Sequence, residues 1–269
     1  MGHGVTRKYA LITGASSGIG EAMARLVTAE GFDLGLVARR EDRLERLALG
    51  LRQYGVEVDT FAADLSAPRA GERLAQAVAA KGRDVSILVN NAGVTIAKSF
   101  SATNLSEQQA FVELTIQTPV ALTHAFLPAM LQKGFGRIIN VGSITALSSG
   151  GKGNTLYPAG KSFLLKFSQS LSAELKPRGI LVTAVLPGFV ATEFQNANGL
   201  LTDESPAARR FAQSAEAVAR EAWARNAKGH EIVVPGLAAK GAAALMRFIP
   251  EPLMRTITRA AAEKYYVGD

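Results

Sequence analysis

The sequence predicts an α/β chain, a parallel sheet covered by helices on both faces in one domain. Short apolar runs alternate with amphipathic stretches about six times, glycines stand where the helices should stop, and 269 residues with 48% apolar content can bury a large core. No Pro/Ser-rich linker, internal repeat or low-complexity tract divides the chain. Residues 1–236 therefore read as the sheet domain, with 237–269 as a helical extension of it.

The elements follow in order. Tyr9 to Thr13 is the first strand, and after a glycine-rich turn the stretch Glu21 to Glu30 is helical up to Gly31. Asp33 to Ala38 is a strand, and Glu41 to Tyr54 a helix closed by Gly55. Val56 to Ala62, then Pro68 to Lys81 closed by Gly82, then Val85 to Asn90 repeat the alternation. The long helix Glu107 to Gln132 has Ser106-x-x-Gln109 as its expected capping box, and Pro119 and Pro128 predict that it kinks or splits. Arg137 to Gly142, Ile180 to Leu186 and Glu231 to Val234 are the remaining strands; Pro158 to Lys176, stopping by Gly179, and Ala215 to Asn226 are the helices between them. Pro158 favours a helix that begins near Tyr157.

Composition removes several kinds of chemistry. Without cysteine there are no disulfides, thiolate ligands or cysteine nucleophiles, and His3, His124 and His230 are too scattered for a metal cluster. No metal is expected. The start Met1-Gly2-His3-Gly4-Val5 lacks a signal-peptide segment and no run of eighteen apolar residues occurs, so no transmembrane segment and a cytoplasmic location are expected. The formal charge of +7 suggests an anionic partner, yet from Arg39 to Asp59 five arginines face five acids and no basic cluster interleaves with aromatics. Nucleic acid is not expected, and a mostly solvated charged face is the better reading of this balance.

Tyr157-x-x-x-Lys161, with Ser143 fourteen positions upstream, is acid/base equipment. Four residues apart on a helix, the ammonium stabilises the phenolate and tunes Tyr157 for proton exchange with a carbonyl or alcohol. On its own the spacing more often describes an amphipathic surface. Directly after the first strand stands Thr13-Gly14-Ala15-Ser16-Ser17-Gly18-Ile19-Gly20, where glycines permit a tight turn and helix N–H groups can meet a pyrophosphate. Gly14-Ala15-Ser16-Ser17-Gly18 also satisfies a hydrolase nucleophile elbow at Ser16, with His124 or His230 as base, but that reading leaves Gly20, Ser143, Tyr157 and Lys161 unexplained. Gly160-Lys161-Ser162 imitates the end of a P-loop, whose first glycine would have to replace Thr155. At the end of the second strand, Ala38-Arg39-Arg40 offers guanidinium groups where an NAD site wants an acid, so NADP(H) is the expected cofactor.

With these pieces together the chain resembles the short-chain dehydrogenase/reductase superfamily from Val5 to about Val234. The segments that carry the likeness are Thr13 to Gly20, Asp64-Leu65, Asn90-Asn91-Ala92-Gly93, Ser143, Tyr157-x-x-x-Lys161, and Pro187-Gly188 with Thr192. The resemblance implies a seven-stranded Rossmann sheet, hydride transfer between nicotinamide and a carbonyl or alcohol carbon, and a homodimer or homotetramer. It implies Tyr157 as proton donor or acceptor, Lys161 on the tyrosine and the nicotinamide ribose, and Ser143 on the reacting oxygen. Gly14, Ser16, Ser17, Gly18, Ile19, Gly20, Arg39 and Arg40 would take the phosphates, Asp64 and Leu65 the adenine, and Asn91, Ala92 and Gly93 the flank of the cofactor. Pro187, Gly188, Val190 and Thr192 would lie by the nicotinamide amide. A non-catalytic NADP-binding sensor is the alternative.

Two departures stand out. Thr115 falls where many relatives carry an asparagine linked to proton relay, and a hydroxyl offers one donor where a carboxamide offers two. The tail after Gly236 carries Leu245, Ile249, Leu253, Ile257 and Ala261 at spacing four, with Arg247, Arg255, Arg259 and Lys264 between them, and Pro250 and Pro252 split it into two helices. It is expected to pack on its own domain or a sister subunit, with a lid or weak membrane-surface contact as the sharper reading. Phe194, Leu200, Leu201 and Phe211, with Val94 to Ala97, point to an apolar ketone, acyl or ring substrate.

Overall fold

The computed structural model describes residues 7–151, 155–194, 212–246 and 248–265. Leu200, Leu201, Phe211 and Arg247 lie outside the described residues, as do Met1–Val5 and the side chains of Ala261 and Lys264. Seven parallel strands form one sheet in the order β3-β2-β1-β4-β5-β6-β7. They are β1 (Tyr9–Thr13), β2 (Asp33–Ala38), β3 (Val58–Ala62), β4 (Val85–Asn90), β5 (Gly136–Val141), β6 (Ile180–Val185) and β7 (Ile232–Val233). The helices are α1 (Gly18–Ala29), α2 (Glu41–Arg52), α3 (Ala70–Ala80), α4 (Leu105–Val112), α5 (Thr118–Lys133), α6 (Leu156–Leu175), α7 (Ala215–Ala227), α8 (Leu237–Met246) and α9 (Glu251–Tyr265).

Both faces of the sheet are covered, which is why the strands read as continuous apolar runs instead of alternating ones. In β1, Ala10 and Ile12 join a core with Met23, Val27, Leu44 and Val218. Their neighbours Tyr9 and Leu11 join the opposite core with Leu74, Leu122, Met130 and Leu175. The fold is therefore a single Rossmann-like domain with α1, α2 and α7 on one face and α3, α5 and α6 on the other.

Three local expectations change. The helix after β4 begins at Leu105, and its capping box is Asn104 with Glu107, not Ser106 with Gln109. Asn104 Oδ1 accepts from Glu107 N–H at 2.9 Å and Glu107 Oε2 accepts from Asn104 N–H at 3.0 Å, while Ser106 Oγ donates to Asn104 Oδ1 at 2.6 Å. Asparagine caps as well as serine, so two candidate boxes offset by two residues cannot be ranked without the backbone. The split at Pro119 takes the form of a π-helical segment, Glu113–Gln117, after which α5 starts with Pro119 in its first turn, where a missing N–H costs little. Pro128, in contrast, sits within a continuous α5.

Leu105–Lys133 is the one described helical stretch long and apolar enough by length and composition to cross a membrane, and 44% of its most apolar window is buried inside the fold. Leu122, Phe126 and Met130 pack in the core on β4 and β5, which accounts for its composition. The tail forms two helices, α8 and α9, parted before Pro250 as its prolines predict, with Pro252 in the first turn of α9. The expected spacing-four stripe does not form the buried face: Leu245, Leu253 and Ile257 are exposed, and Ala239, Ala243 and Met254 turn inward.

Candidate active site

Strand order reverses between β1 and β4, and the crevice at the carboxyl ends of such strands is where a doubly wound sheet takes a ligand. Register brings the sequence-predicted residues to this edge. Asn90 pairs with Asn140 and Val141 with Val185, so Asn91, Ser143 and Pro187 leave the sheet side by side, and Ile144 N–H donates to the Pro187 carbonyl at 2.9 Å.

The glycine turn is held by side chains from β1 and β4. Thr13 Oγ1 donates to the Val89 carbonyl at 3.2 Å and accepts from the N–H groups of Asn91 and Ala92 at 2.9 and 3.0 Å. Asn91 Nδ2 donates to the carbonyls of Thr13 and Gly14 at 3.0 and 3.2 Å. A Cβ on Gly20 would stand 2.2 Å from the Gly14 oxygen and 2.5 Å from Asn91 Nδ2, and Gly14 and Gly18 have φ of +66° and +57°. The array thus needs its glycines for closeness as much as for turning. Asn91 spends its amide on the turn instead of pointing it at a ligand.

At the start of α1, Ser17 is the N-cap but makes no side-chain cap bond, leaving first-turn N–H groups for an anion. Its hydroxyl, with that of Ser16, instead accepts from Arg40 Nη2 at 3.0 and 3.1 Å. Arg40 Nη1 and Arg43 Nη1 converge on Glu193 Oε2 at 3.1 and 2.6 Å. A carboxylate therefore sits where two guanidinium groups and two hydroxyls meet, and this donor set fits a phosphate on the ribose. Arg39 is exposed at the end of β2. Asp64 Oδ1 accepts from Ser66 Oγ and N–H at 2.7 and 3.0 Å, and these bonds hold its carboxyl below the usual range. Leu65 is buried, its carbonyl accepting from Thr118 Oγ1 at 3.0 Å.

The α6 helix begins at Leu156, so Tyr157 and Lys161 share one face, with Lys161 Nζ 5.6 Å from the phenol ring centre. Lys161 is 5% exposed and donates to the Val141 carbonyl at 2.9 Å; burial pulls its pKa down to about 8. A Cβ on Gly93 would lie 3.5 Å from Nζ, so the ammonium sits between the ends of β4 and β5. Ser143 caps the short 3-10 turn Ile144–Leu147, and its Oγ accepts from Thr145 Oγ1 at 2.9 Å and Thr145 N–H at 3.2 Å. With its acceptor side engaged, its own hydroxyl hydrogen is left to donate. Ser162 Oγ donates to the Ala146 carbonyl at 2.8 Å, which ties this turn to α6.

Several contributors escaped the sequence reading. Thr145 orients Ser143, Arg43 joins Arg40, and a buried chain runs from Asn90 Nδ2 to Asn140 Oδ1 (2.8 Å), from Asn140 Nδ2 to Ser168 Oγ (2.8 Å) and on to the Leu164 carbonyl (2.7 Å). Ser168 lies seven residues after Lys161 on the same helix face, a signal readable only once that face is known to be buried. Thr115 sits in the π segment with its methyl group against Gly160, and among the described residues its buried hydroxyl has no hydrogen-bond partner. On the β6 side, Gly188 lies against Ala239 of α8, Val190 bridges Gln213, and the Thr192 methyl group packs on Gly18. The Phe194 ring is 6.3 Å from that of Tyr157. Among the described residues no group of three His, Asp or Glu could hold a metal ion. An open, largely apolar hollow of about 350 Å³ between α3 and α5, lined by Ala75, Ala79, Val85 and Phe126, lies at the amino edge of the sheet, away from these residues.

The short chain dehydrogenase family profile matches residues 8–200. Nodulation protein G of Rhizobium sp. (strain N33) is 38% identical over 186 residues, 69% of this chain and 74% of that protein. The 3-oxoacyl-(acyl-carrier-protein) reductase of Escherichia coli K12 is 34% identical over 193 residues, 71% of this chain and 76% of that one. Among solved structures, a 7β-hydroxysteroid dehydrogenase superposes with a TM-score of 0.85 at 26% identity, covering 93% of this chain and 96% of its own. A short-chain dehydrogenase from Sphingobium yanoikuyae in complex with NADPH gives 0.78 at 32%, covering 91% and 97%. One from Burkholderia phymatum in complex with NAD gives 0.75 at 25%, covering 89% and 92%. The profile spans most of the sheet and the glycine turn, and the chain belongs to the short-chain dehydrogenase/reductase family of oxidoreductases.

Proposed function

We propose that this protein is an NADP(H)-dependent reductase or dehydrogenase acting on a carbonyl or secondary alcohol of an apolar compound. The observation that carries the proposal is the desolvated Lys161 cation beside Tyr157, on the sheet edge that also presents the glycine turn. Bound nicotinamide supplies or accepts the hydride. Tyr157 gives its proton to the carbonyl oxygen, or removes it from the alcohol, and the nearby ammonium stabilises the phenolate. Ser143 donates to the same oxygen, a direction set by the bonds it accepts from Thr145. The turn Gly14 to Gly20 and the α1 N–H groups hold the pyrophosphate. Asp64 and Leu65 flank the adenine, Asn91, Ala92 and Gly93 line the cofactor's side, and Pro187, Gly188, Val190 and Thr192 lie by the amide.

Arg40 with Ser16 and Ser17 supports NADP over NAD, because two hydroxyls and a guanidinium converge where no acid from β2 stands. The NADPH-bound relative at 32% identity agrees, although the Burkholderia phymatum protein was solved with NAD. Phe194 beside Tyr157 and partly buried Val94, Ile96 and Ala97 support an apolar substrate, as does the steroid-acting relative. The exposed stripe Leu245, Leu253 and Ile257 suits a sister subunit in a homodimer or homotetramer, and residues 237–269 act as an extension of the domain. The cysteine-free composition suits a reducing, cytoplasmic setting.

A panel of carbonyl compounds followed by NADPH oxidation tests the function. Sustained turnover that falls at least about 100-fold in Tyr157→Phe, with cofactor binding retained, is expected. Binding without turnover across the panel would favour a cofactor sensor. Rates with NADPH and NADH at matched concentrations test the cofactor assignment, and a clear NADH preference would overturn it.

A further inference from the structure

Three consecutive residues after β6 reach three different parts of the site. Their arm is pinned at its root, where Ala191 N–H donates to the Gln213 carbonyl and Gln213 N–H to the Phe189 carbonyl, both at 3.0 Å. Thr192 then packs on Gly18 of the phosphate turn and Phe194 lies beside Tyr157. Glu193, between them, extends to the opposite wall and takes the hydrogen bonds of Arg40 at 3.1 Å and Arg43 at 2.6 Å on a single oxygen, Oε2. Those bonds hold its carboxyl below the usual range, Arg43 contributing most.

The partners are 153 and 150 residues away in sequence, on the β2 side of the crevice. An acid this far along the chain is invisible to the rule that looks for an acid at the end of the second strand. Yet it delivers a negative charge to the same corner. A carboxylate and a ribose 2′-phosphate would address the same guanidinium hydrogens, and two anions on one cation pair repel. The phosphate is the stronger ligand for a planar guanidinium, but the carboxylate is intramolecular and so always at high local concentration. Arg40, Arg43 and Glu193 are 41%, 36% and 52% exposed, so their attraction is weak enough to yield.

We propose that Glu193 is an intramolecular competitor for the 2′-phosphate of NADP(H): it occupies Arg40 and Arg43 in the free protein, is displaced by the phosphorylated cofactor and is left in place by NAD(H). Glu193 is thereby a determinant of cofactor preference. Glu193 stands between Thr192 on the glycine turn and Phe194 beside Tyr157, so the corner that reads the phosphate is joined to the Tyr157 face by one residue of chain. This inference rests on the NADP assignment proposed above.

The test is calorimetric titration of the full chain with adenosine 2′,5′-bisphosphate and with adenosine 5′-phosphate, which needs no turnover. Glu193→Gln, which keeps shape and removes charge, is expected to tighten the bisphosphate about threefold to tenfold and to leave the monophosphate within about twofold. Bisphosphate binding that is unchanged or weaker, or an equal gain for both fragments, would overturn the proposal. Arg40→Ala separates the two layers. If wild type, Arg40→Ala and Glu193→Gln all bind both fragments alike, the NADP assignment itself fails and the competitor with it. If wild type prefers the bisphosphate, Arg40→Ala loses that preference and Glu193→Gln gains nothing, only the role of Glu193 fails.

Discussion

At the scale of single residues, Lys161 is where the proposed function and stability conflict. Its ammonium is buried with a backbone carbonyl as acceptor, and burial alone accounts for its lowered pKa. A desolvated cation opposes folding. The ordinary value is 10.5 and the folded value about 8, so between these the unfolded chain keeps a proton that the native state has lost, and stability rises with pH. Below about pH 8 the penalty is fully present. Lys161→Met is therefore expected to abolish turnover and yet raise stability at neutral pH by on the order of 2 kcal/mol, the gain shrinking as pH climbs through that window. Thermal melts at several pH values measure it, and a variant less stable than wild type at neutral pH would show that the cation contributes more to packing than it costs. The sequence made Lys161 legible as chemistry through its spacing from Tyr157. Its burial came from the strand ends on either side, whereas the bonds that aim Ser143 come from Thr145, two residues on in the same 3-10 turn.

Among elements, the helix stops were the most readable feature, because a positive φ leaves glycine as the favoured residue. Their consequences differ in ways no composition shows. Gly31 and Gly179 have nearly the same φ, +81° and +82°, but a Cβ on Gly31 meets nothing within 4 Å whereas one on Gly179 would stand 2.2 Å from the Gly134 oxygen. Gly31→Ala is expected to cost about 1 kcal/mol from its backbone alone, and Gly179→Ala about 3 kcal/mol or more because two turns must part. Urea midpoints compare the two, and equal losses would discount the close approach. Arg137 shows the opposite limit. It reads as a strand-opening charge, but it is buried on β5, donating to Asn226 Oδ1 at 2.6 Å and the Trp223 carbonyl at 2.7 Å, with its guanidinium 3.5 Å above the Trp223 ring. Burial pulls its pKa down to about 10. The partners come from α7, some ninety residues on, so only packing reveals that this charge clamps a helix to the sheet. The π segment before Pro119 is similar: proline announced a break, and only the backbone shows that it takes the form of a π turn.

For the whole molecule, the alternating pattern was enough to predict a doubly covered parallel sheet, since each element's period states which faces are apolar. The tail was less legible. Its stripe predicted packing on its own domain or a sister subunit; within the single chain Leu245, Leu253 and Ile257 are exposed, while Met254 faces inward and Glu251 accepts from Ser149 Oγ at 3.1 Å, near the turn begun by Ser143. Ala239 lies on Gly188 beside the proposed nicotinamide site. Both contacts set α8 and α9 against the proposed substrate side. A chain ending at Gly236 is expected to keep its affinity for adenosine 2′,5′-bisphosphate and to lose about tenfold in kcat/KM on bulky ketones, with little change on small ones. Equal losses on both would mean that the tail supports the fold instead of the pocket. Co-sedimentation with liposomes, full chain against the shortened one, checks membrane-surface contact, and equal binding counts against the tail.

By itself the sequence determined the kinds of element, their order, the glycines that the turn after β1 requires and the residues proposed to move a proton, because these follow from local sterics, periodicity and side-chain chemistry. Only the tertiary structure decided which of those residues are desolvated, which hydrogen bonds aim them, and that an acid after β6 reaches arginines after β2. Burial and charge pairing are set by strands distant in sequence that register side by side, and no window along the chain contains that information.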